Sequence, residues 1–490
     1  MTQLPILQVL VPLLCAPLCA LLRQRRVAWL LFLAAAAAAF SCALLLTWRV
    51  SRGEVPRYTL GDWPAPAGIE YVIDPVNAPV LALVSVVALI VAIYARASVE
   101  REIESGRIPL FYACMCLCLA GMLGVTATGD AFNAFVFLEI TSLSSYALIA
   151  MGKRRRALLA AFRYLIIGTI GATFLLIGIG LAYAVTGTLN MADLAQRLPD
   201  VYGNRALTAA VAFVVVGLAV KMAVFPLHSW LPAAYGEAPS VVSTLLAGVS
   251  TKVAMYAFLR FTFTVFGGAF VFGLLPVGVI GLVVACAAML VASAVACFQR
   301  DLKYLLGWSS VAQVGYIIAG FSLATSDGVS AGYLHLLNHG VTKAALFAAA
   351  GVVLMRRGSV DLDALAGLGR QMPWTFAAIV LAGVGLVGLP PTAGFASKWA
   401  LVLALVEQGQ WFVLAAVLVS SLLAVVYVGR IVEIAWFREP VESPPLGKSA
   451  PSMIAMTWLL TVMSLYFGAS PVLPAAFADA AAAALLGGAP

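Results

Sequence analysis

The sequence predicts an all-α, polytopic membrane protein with about 14 transmembrane helices. Of its 490 residues, 63% are hydrophobic and only 10% are charged, and the mean hydropathy is +1.03. Ordinary globular proteins are about half apolar and about one quarter charged. Successive apolar runs of about 20 residues, long enough to cross about 30 Å of hydrocarbon as helices, number roughly fourteen. Transmembrane β-strands would alternate in runs of about 10 residues, so a barrel does not fit.

The apolar runs follow one another along almost the whole chain. The first six cover about residues 4–22, 27–47, 75–94, 109–128, 131–150 and 161–185, and the seventh begins near residue 206. The other seven cover about residues 240–260, 271–297, 304–321, 329–354, 374–406, 411–436 and 450–467. The small-residue tail after Pro471 carries no structural signal.

Basic residues cluster between these runs, so the net charge of +8 indicates topology signals rather than a nucleic-acid site. The richer loops hold Arg23 to Arg26, Arg96 to Arg107, Lys153 to Arg156, Arg300 and Lys303, Arg356 to Arg370, and Arg438 with Lys448. By the positive-inside rule these loops face the cytoplasm, and an even number of spans places both termini outside the cell membrane. The eight cysteines lie within spans without metal-binding spacing, and we expect them to pack there.

Two lysines lie in the membrane within residues 214–260. Lys221 belongs to the seventh span, and Lys252 lies near the middle of the eighth. Pro226 breaks the backbone soon after Lys221. A charged group at bilayer depth costs roughly 3 kcal/mol, so both lysines are functional candidates. The alternative for Lys221 is that its ammonium group reaches back to the membrane surface.

Glu139, near the centre of the fifth span, is the only carboxylate deep in the first half of the chain. It is the obvious partner for Lys221, because an intramembrane carboxylate usually lines an ion path. The alternative is a packed carboxylic acid that burial keeps neutral.

The eleventh span contains HLLNHGVTKAALF, in which His335, His339 and Lys343 recur every four residues. This spacing places all three side chains on one face of a helix. We expect a stripe of titratable groups facing water. The alternative is a polar stripe whose hydrogen bonds are satisfied by neighbouring helices.

The twelfth span contains GVGLVGLPPTAGFASK. Its GxGxxG spacing lacks the preceding strand of a dinucleotide site, so we discount nucleotide binding. Pro390, Pro391 and Gly394 instead indicate a helix opened near its middle, with Lys398 just beyond the break.

The two Pro-interrupted spans, each bearing a lysine, lie about five spans apart, which is typical of transporters built from repeated halves. An odd number of spans per repeat would invert the second copy. Lysine and histidine can load and release protons when burial or a nearby carboxylate changes their proton affinity. The sequence therefore predicts a proton path along the residues Glu139, Lys221, Lys252, His335, His339, Lys343 and Lys398. It holds no catalytic constellation, and we expect no cofactor or metal.

The segments FLEITSLSSYALIA, VKMAVFPLHSWLPAAYGEAPSVVSTLLAGVSTKVAMY, RDLKYLLGWSSVAQVGYI, HLLNHGVTKAALF and GLPPTAGFASKW resemble one membrane-protein family. It comprises the proton-conducting antiporter-like subunits of respiratory complex I and of Mrp-type monovalent cation/proton antiporters. The likeness extends from about residue 74 to 438 and is greatest to the D subunit of the Mrp type.

The resemblance implies a fourteen-helix fold with two inverted five-helix repeats and broken helices 7 and 12. Residues 1–108 would form helices 1–3, residues 109–266 the first repeat, residues 267–437 the second, and residues 438–490 helix 14 and the tail. The family's glutamate and lysine pair falls on Glu139 and Lys221, and its central lysine on Lys252. Its histidine of helix 11 falls on His339 or His335, and its terminal lysine on Lys398.

Such chains work beside other membrane subunits in the lipid bilayer, and three functions stay open. The first is a proton-translocating subunit of a cation/proton antiporter for Na⁺ or K⁺. The second is the same proton-pumping module in an NADH-quinone oxidoreductase or hydrogenase complex. The third is a scaffold for another transport protein, which the titratable row disfavours because a scaffold gains nothing from lysines in lipid.

Overall fold

The computed structural model describes residues 3–440, 445–448 and 450–487. The helices of the first half are α1 (Leu4–Leu22), α2 (Arg25–Val50), α3 (Ala78–Glu102), α4 (Ile108–Ala127), α5 (Ala131–Ala150), α6 (Arg155–Thr186), α7 (Met191–Arg197), α8 (Arg205–Met222), α9 (Leu231–Glu237), α10 (Ser240–Leu245) and α11 (Thr251–Leu259). Those of the second half are α12 (Val277–Cys297), α13 (Leu302–Ser322), α14 (Ser326–Arg357), α15 (Leu368–Gln371), α16 (Pro373–Val387), α17 (Ala393–Glu407), α18 (Trp411–Val432), α19 (Pro451–Ala469) and α20 (Val472–Leu486).

The fold is a polytopic helical membrane protein, as the composition predicts. Thirteen helices among the described residues are long and apolar enough to cross a membrane. One of these is the continuous helix Ser240–Val265, in which π turns join α10 and α11. The twelfth span, which brings the number to fourteen, is the interrupted pair α16 and α17, each 15 residues long. The seventh span is broken after α8 and resumes as α9.

The N-terminal ends of α5 and α13 are built alike. The side chain of Asp130 accepts a hydrogen bond from the backbone N–H of Asn133 at 2.7 Å and caps α5. Asp301 accepts from the backbone N–H groups of Lys303 at 2.8 Å and Tyr304 at 3.1 Å and caps α13. Aspartate is a favoured residue at this position because it satisfies backbone donors that lack a partner within the helix.

Backbone bridges extend the likeness of the two halves. Asp130 pairs with Asn190, which follows α6, and Asp301 pairs with Asp361, which follows α14. The spacing from Asp130 to Asp301 equals the spacing from Asn190 to Asp361. The helices that precede Asn190 and Asp361, α6 and α14, are both 32 residues long. Five spans separate Asp130 from Asp301, so the bridges lie at opposite ends of the molecule. This is the inverted repeat that the resemblance implies.

Helix α14 lies at the centre of the second half. Its membrane-spanning part is completely buried, and it packs against α3, α10, α13, α16, α17, α19 and α20. The outer helices α6, α12 and α18 instead expose many large apolar side chains, as a surface against lipid or another membrane subunit requires. The polar residues of α14 are therefore held inside protein.

Two features differ from the sequence prediction. The tail after Pro471 forms α20, a 15-residue helix that packs on α14 and whose Asp479 hydrogen-bonds to Ser330. Its alanine-rich sequence has too little contrast between faces to reveal that contact. The loop after the second span also forms an antiparallel hairpin of β1 (Arg57–Thr59) and β2 (Glu70–Val72).

Candidate functional site

The seventh span presents Lys221 to α5. Its Nζ atom donates hydrogen bonds to Oε1 of Glu139 at 2.7 Å and to Oγ of Ser142 at 2.8 Å. The Lys221 side chain is 4% exposed and that of Glu139 is 21% exposed. Lys221 is thus held by an internal carboxylate and does not reach back to the membrane surface. The Glu139 carboxylate is the more accessible partner.

The break after α8 follows Lys221 directly. Residues 223–230 leave the helix, and Pro226, which has no N–H to donate, lies within them. One backbone carbonyl freed by the break, that of Val220, accepts a hydrogen bond from the indole Nε1 of Trp230 at 3.0 Å. The predicted break is therefore present, and protein groups satisfy its backbone as the membrane interior requires.

Lys252 is buried in the eighth span, two residues after a π turn over Leu246–Ser250. Its Nζ donates to the carbonyl of Ala247 at 2.5 Å, which is a carbonyl of that π turn. The neighbouring carbonyl of Leu246 accepts from the hydroxyl of Tyr235 at 3.0 Å. π turns within helices are often found at functional sites, because they free backbone oxygens for other groups. No carboxylate in the described residues pairs with Lys252.

Lys343 and His335 of α14 both reach α13. The Nζ of Lys343 donates to the carbonyl of Leu306 at 2.9 Å and to the hydroxyl of Ser309 at 2.5 Å. His335 holds both ring nitrogens in hydrogen bonds: Nε2 with Oε1 of Gln313 at 2.9 Å, and Nδ1 with the hydroxyl of Ser397 in α17 at 2.8 Å. Neighbouring helices thus satisfy the hydrogen bonds of Lys343 and His335, which is the alternative to a stripe facing water for these two residues.

His339 differs from both. Its ring lies parallel to that of His335 at a centroid distance of 6.0 Å. It is buried, and neither of its nitrogens has a hydrogen-bond partner in the part of the chain that the structure describes. It lies within electrostatic range of Lys252, Lys343 and Lys398. The two ring nitrogens of His339 are therefore not committed to any group among the described residues.

Lys398 closes the row at the second break. Its Nζ donates to the carbonyls of Leu386 at 2.7 Å and Val387 at 3.3 Å, and to the hydroxyl of Ser421 at 3.1 Å. These carbonyls end α16, where the helix dipole favours a positive charge. The ammonium group also lies 4.3 Å from the centre of the Tyr316 ring. The opening of the helix thus supplies the site that holds the lysine.

Residues 388–392 separate α16 from α17, so Pro390 and Pro391 lie in the break as predicted. Gly394 lies in the first turn of α17, where its α-carbon packs on the backbone of Gly385 in α16. A β-carbon at Gly394 would overlap the Gly385 carbonyl, so only glycine allows the two half-helices to approach so closely.

The structure brings one group of the predicted residues together and leaves the other apart. Lys252, His335, His339, Lys343 and Lys398 form a buried row between the eighth and twelfth spans. Among the described residues, no hydrogen bond joins this row directly to the pair of Glu139 and Lys221. A proton would need water or a side-chain movement to pass between them.

Sequence reasoning missed a second buried ion pair. The Nη2 atom of Arg260 donates to both carboxylate oxygens of Asp74 at 2.8 Å, and both residues are buried. Asp74 precedes α3 and Arg260 lies near the end of the eighth span, so each resembles an ordinary flanking charge in the sequence. Only the fold brings them together.

Lys303, which the sequence analysis counted among the basic residues that signal topology, is buried in the structure. It lies in the first turn of α13, is 2% exposed, and donates from Nζ to the carbonyl of Ala238 at 2.7 Å. In the sequence, Lys303 stands beside Asp301 at the boundary of an apolar run, which is a usual place for a charged residue near the membrane surface. Its burial could not be predicted, because only tertiary packing brings the end of α9 over α13.

The comparisons with known proteins agree with this architecture. A family model described as NADH:quinone oxidoreductase/Mrp antiporter, TM, matches residues 128–424. The chain is 44% identical over 447 residues to NADH-quinone oxidoreductase subunit N of Desulforudis audaxviator, covering 89% of this chain and 87% of the relative. It is 31% identical to the D subunit of the Na(+)/H(+) antiporter of Alkalihalophilus pseudofirmus, covering 84% and 83%.

The fold is also similar to a chain in the structure of the Mrp complex from Dietzia sp.. The TM-score is 0.90 at 29% identity, and the match covers 99% of this chain and 97% of that one. Similar chains thus occur both under antiporter names and under a quinone oxidoreductase name. Because the family model spans more than half of its residues, this multi-pass membrane chain belongs to the NADH:quinone oxidoreductase/Mrp antiporter transmembrane family, the antiporter-like subunits of Mrp-type and complex I-type assemblies.

Proposed function

We propose that this chain translocates protons along its buried row of lysine, histidine and glutamate side chains. It does so as a subunit of a multisubunit antiporter that exchanges protons for Na⁺ or K⁺ across the cell membrane. Both chain termini lie outside in this proposal. Other membrane subunits complete the cation path, as supported by structurally similar chains that belong to multisubunit membrane complexes.

The observation that carries the proposal is the row itself. Five titratable side chains, Lys252, His335, His339, Lys343 and Lys398, share the interior of a membrane protein, and among the described residues none of them pairs with a carboxylate. Several buried amines cannot all stay protonated side by side, because like charges repel strongly in a medium of low dielectric constant. The row therefore binds fewer protons than it has titratable groups. A proton can move along the row because an unprotonated group is available to accept it.

The pair of Glu139 and Lys221 acts as the switch for this row. While the carboxylate lies 2.7 Å from Nζ, the lysine keeps its proton. When Glu139 turns away, Lys221 is left as a buried unpaired cation and gives up its proton to the path. The partial exposure of Glu139 leaves room for a neighbouring subunit to control that movement.

A second candidate is the same proton-pumping role in a redox complex. The relative of 44% identity bears the name of a quinone oxidoreductase subunit, which favours this candidate. The row works alike in both settings, and no redox cofactor in this chain is needed for either.

Native purification separates the two. The complex is extracted from its own membrane through a tag on this chain, and its companions are identified by mass spectrometry. Small membrane subunits alone support the antiporter, whereas iron–sulfur or flavin proteins support the redox complex. Proton-coupled cation transport that persists after replacement of Lys221 would overturn the proton-path proposal in either setting.

A further inference from the structure

A cavity of about 280 Å³ with both charged and apolar side chains in its lining lies where the end of α9 meets α3, α13, the end of α14 and the loop before α6. Exposed basic side chains of Arg101, Lys153 and Arg154 form part of its rim, so it opens to the face that carries the basic loops. Lys303 and Glu237 lie at its inner end and are buried. A space of this size with charged groups in its lining holds several water molecules.

Glu237 is the unexplained group in this cavity. It is 5% exposed, and its Oε1 atom accepts a hydrogen bond from the hydroxyl of Tyr304 at 3.1 Å. Its Oε2 atom has no hydrogen-bond partner among the described residues. A buried carboxylate oxygen left without a partner is costly and is retained where it has a use.

The other carboxylate of the cavity is fully engaged. Oε1 of Glu102 accepts from the hydroxyl of Ser98 at 2.5 Å, and Oε2 accepts from the backbone N–H of Ser240 at 2.9 Å and from its hydroxyl at 3.1 Å. A resident metal cation needs several oxygen ligands, and Glu237 Oε2 is the one free carboxylate oxygen among the described residues that line the cavity. A proton needs only that one atom.

The cavity leads toward the row along α13. Lys303 marks its inner end, and Leu306, whose carbonyl accepts from Lys343, lies one helical turn further into the membrane. Ser309, the other acceptor of Lys343, follows on the same helix. Lys343 is thus the member of the row that approaches the cavity along this helix.

We propose that this cavity is the mouth through which protons enter the row, and that Glu237 is its proton-accepting group. The proposal rests on the proposed function and adds the entry point to it. A proton leaves water in the cavity and binds Oε2 of Glu237, which becomes a neutral carboxylic acid. It then passes through water beside Lys303 to Lys343, and Glu237 returns to its carboxylate form.

The charges around Glu237 suit this exchange. The charged groups that line the cavity beside Glu237 are Arg101 and Glu102 from α3, Lys153 and Arg154 from the loop before α6, and Lys303 from α13. The end of α14 lines it with the uncharged residues Leu354 and Met355. Tyr304 contacts Glu237 directly, and Asp301 acts on Lys303. Lys303 is the positioning residue, because its Nζ atom, held by the carbonyl of Ala238 at 2.7 Å, lies at the inner end of the cavity.

The test replaces Glu237 with glutamine in the complete complex. Glu237→Gln keeps the size of the side chain and the acceptor for Tyr304 but cannot bind the proton. We expect the initial rate of proton-coupled cation transport in inverted vesicles to fall at least about tenfold, as for loss of a proton-transfer group. The dependence of the remaining rate on pH at the face with the basic loops should flatten. Glu104→Gln is the matched control, because Glu104 is an exposed carboxylate in the loop between α3 and α4 and forms an ion pair with Arg107 there.

A rate for Glu237→Gln equal to that of the unsubstituted complex would overturn the entry proposal. If Glu139→Gln is inactive in the same vesicles, the proposed function stands while the entry proposal falls. If Glu139→Gln is also fully active, the proposed function itself falls.

A second measurement serves if Glu237→Gln does not assemble. Glu237→Cys is treated in assembled complexes with a charged, membrane-impermeant thiol reagent, and the unsubstituted chain is the control for its eight native cysteines. We expect labelling and loss of transport only from the face that carries Lys153 and Arg154. Absence of labelling from that face would show that water does not reach Glu237 and would overturn the proposal.

Discussion

Lys221 and Glu139 form a 2.7 Å ion pair inside the membrane, although the two residues lie 82 positions apart in the chain. The lysine is buried, and the carboxylate is the partner that neighbouring groups can reach. In the proposed mechanism, this asymmetry makes Glu139 the moving member of the pair and Lys221 the proton carrier.

Replacing either partner should stop transport. We expect Glu139→Gln and Lys221→Gln each to reduce proton-coupled transport to background, since the switch loses its charge pair. Each single change also leaves one charge unpaired, which costs about 3 to 5 kcal/mol in a buried pair. The double variant should therefore assemble better than either single variant, as measured by the yield of intact complex, and still fail to transport. Transport by the double variant at the unsubstituted rate would contradict the switch.

Lys252 should not tolerate arginine. Arg stays protonated at any working pH, whereas a buried lysine can lose its proton. We expect Lys252→Arg to assemble into the complex but to abolish transport in reconstituted vesicles. If the arginine variant transports normally, Lys252 supplies only a fixed positive charge to the row.

The two histidines of α14 should differ in their effects. His335 is fixed at both nitrogens by Gln313 and Ser397, and His339 is free at both among the described residues. We expect His339→Gln to lower the transport rate by at least about tenfold, as for loss of a proton relay, and His335→Gln to lower it less. Equal losses, measured at matched amounts of assembled complex, would mean that both histidines relay the proton.

Asp301 offers a test of stability. It caps α13 from outside the membrane span, and Asp301→Ala should lower the free energy of unfolding by about 1 kcal/mol because two backbone N–H groups lose their acceptor. Asp301→Asn keeps the acceptor. Thermal denaturation of the purified complex in detergent compares the three proteins.

The same residue predicts a pH effect. Burial raises the pKa of the Asp301 carboxyl above its ordinary value, although hydrogen bonds from the backbone of Tyr304 and the charge of Lys303 lower it. Since the folded pKa lies above the unfolded one, folding binds protons, and stability falls as the pH rises through these two values. Asp301→Asn should therefore be more stable than the unsubstituted protein at neutral pH, and the difference should shrink in acid. A constant difference across the pH range would contradict the pKa shift.

The sequence alone determined the class of fold, the two broken helices and the identity of the titratable residues. An apolar run of membrane length has one main interpretation, a transmembrane helix. A proline within such a run interrupts the helix, and a charge at bilayer depth is costly enough to be kept only for a function. The pairing of Lys221 with Glu139 also followed, because Glu139 was the only deep carboxylate available in the first half.

Only the tertiary structure decided which of these residues meet. It placed Lys252 on a π-turn carbonyl and Lys398 on the carbonyls of an opened helix, and it left His339 without a fixed partner among the described residues. It also buried Lys303 beneath the end of α9 and brought Glu237 to a cavity. The physical reason is that hydrophobicity sets which segments enter the membrane, whereas polar groups inside it are satisfied by helices distant in the chain. That choice depends on packing and leaves no local signal in the sequence.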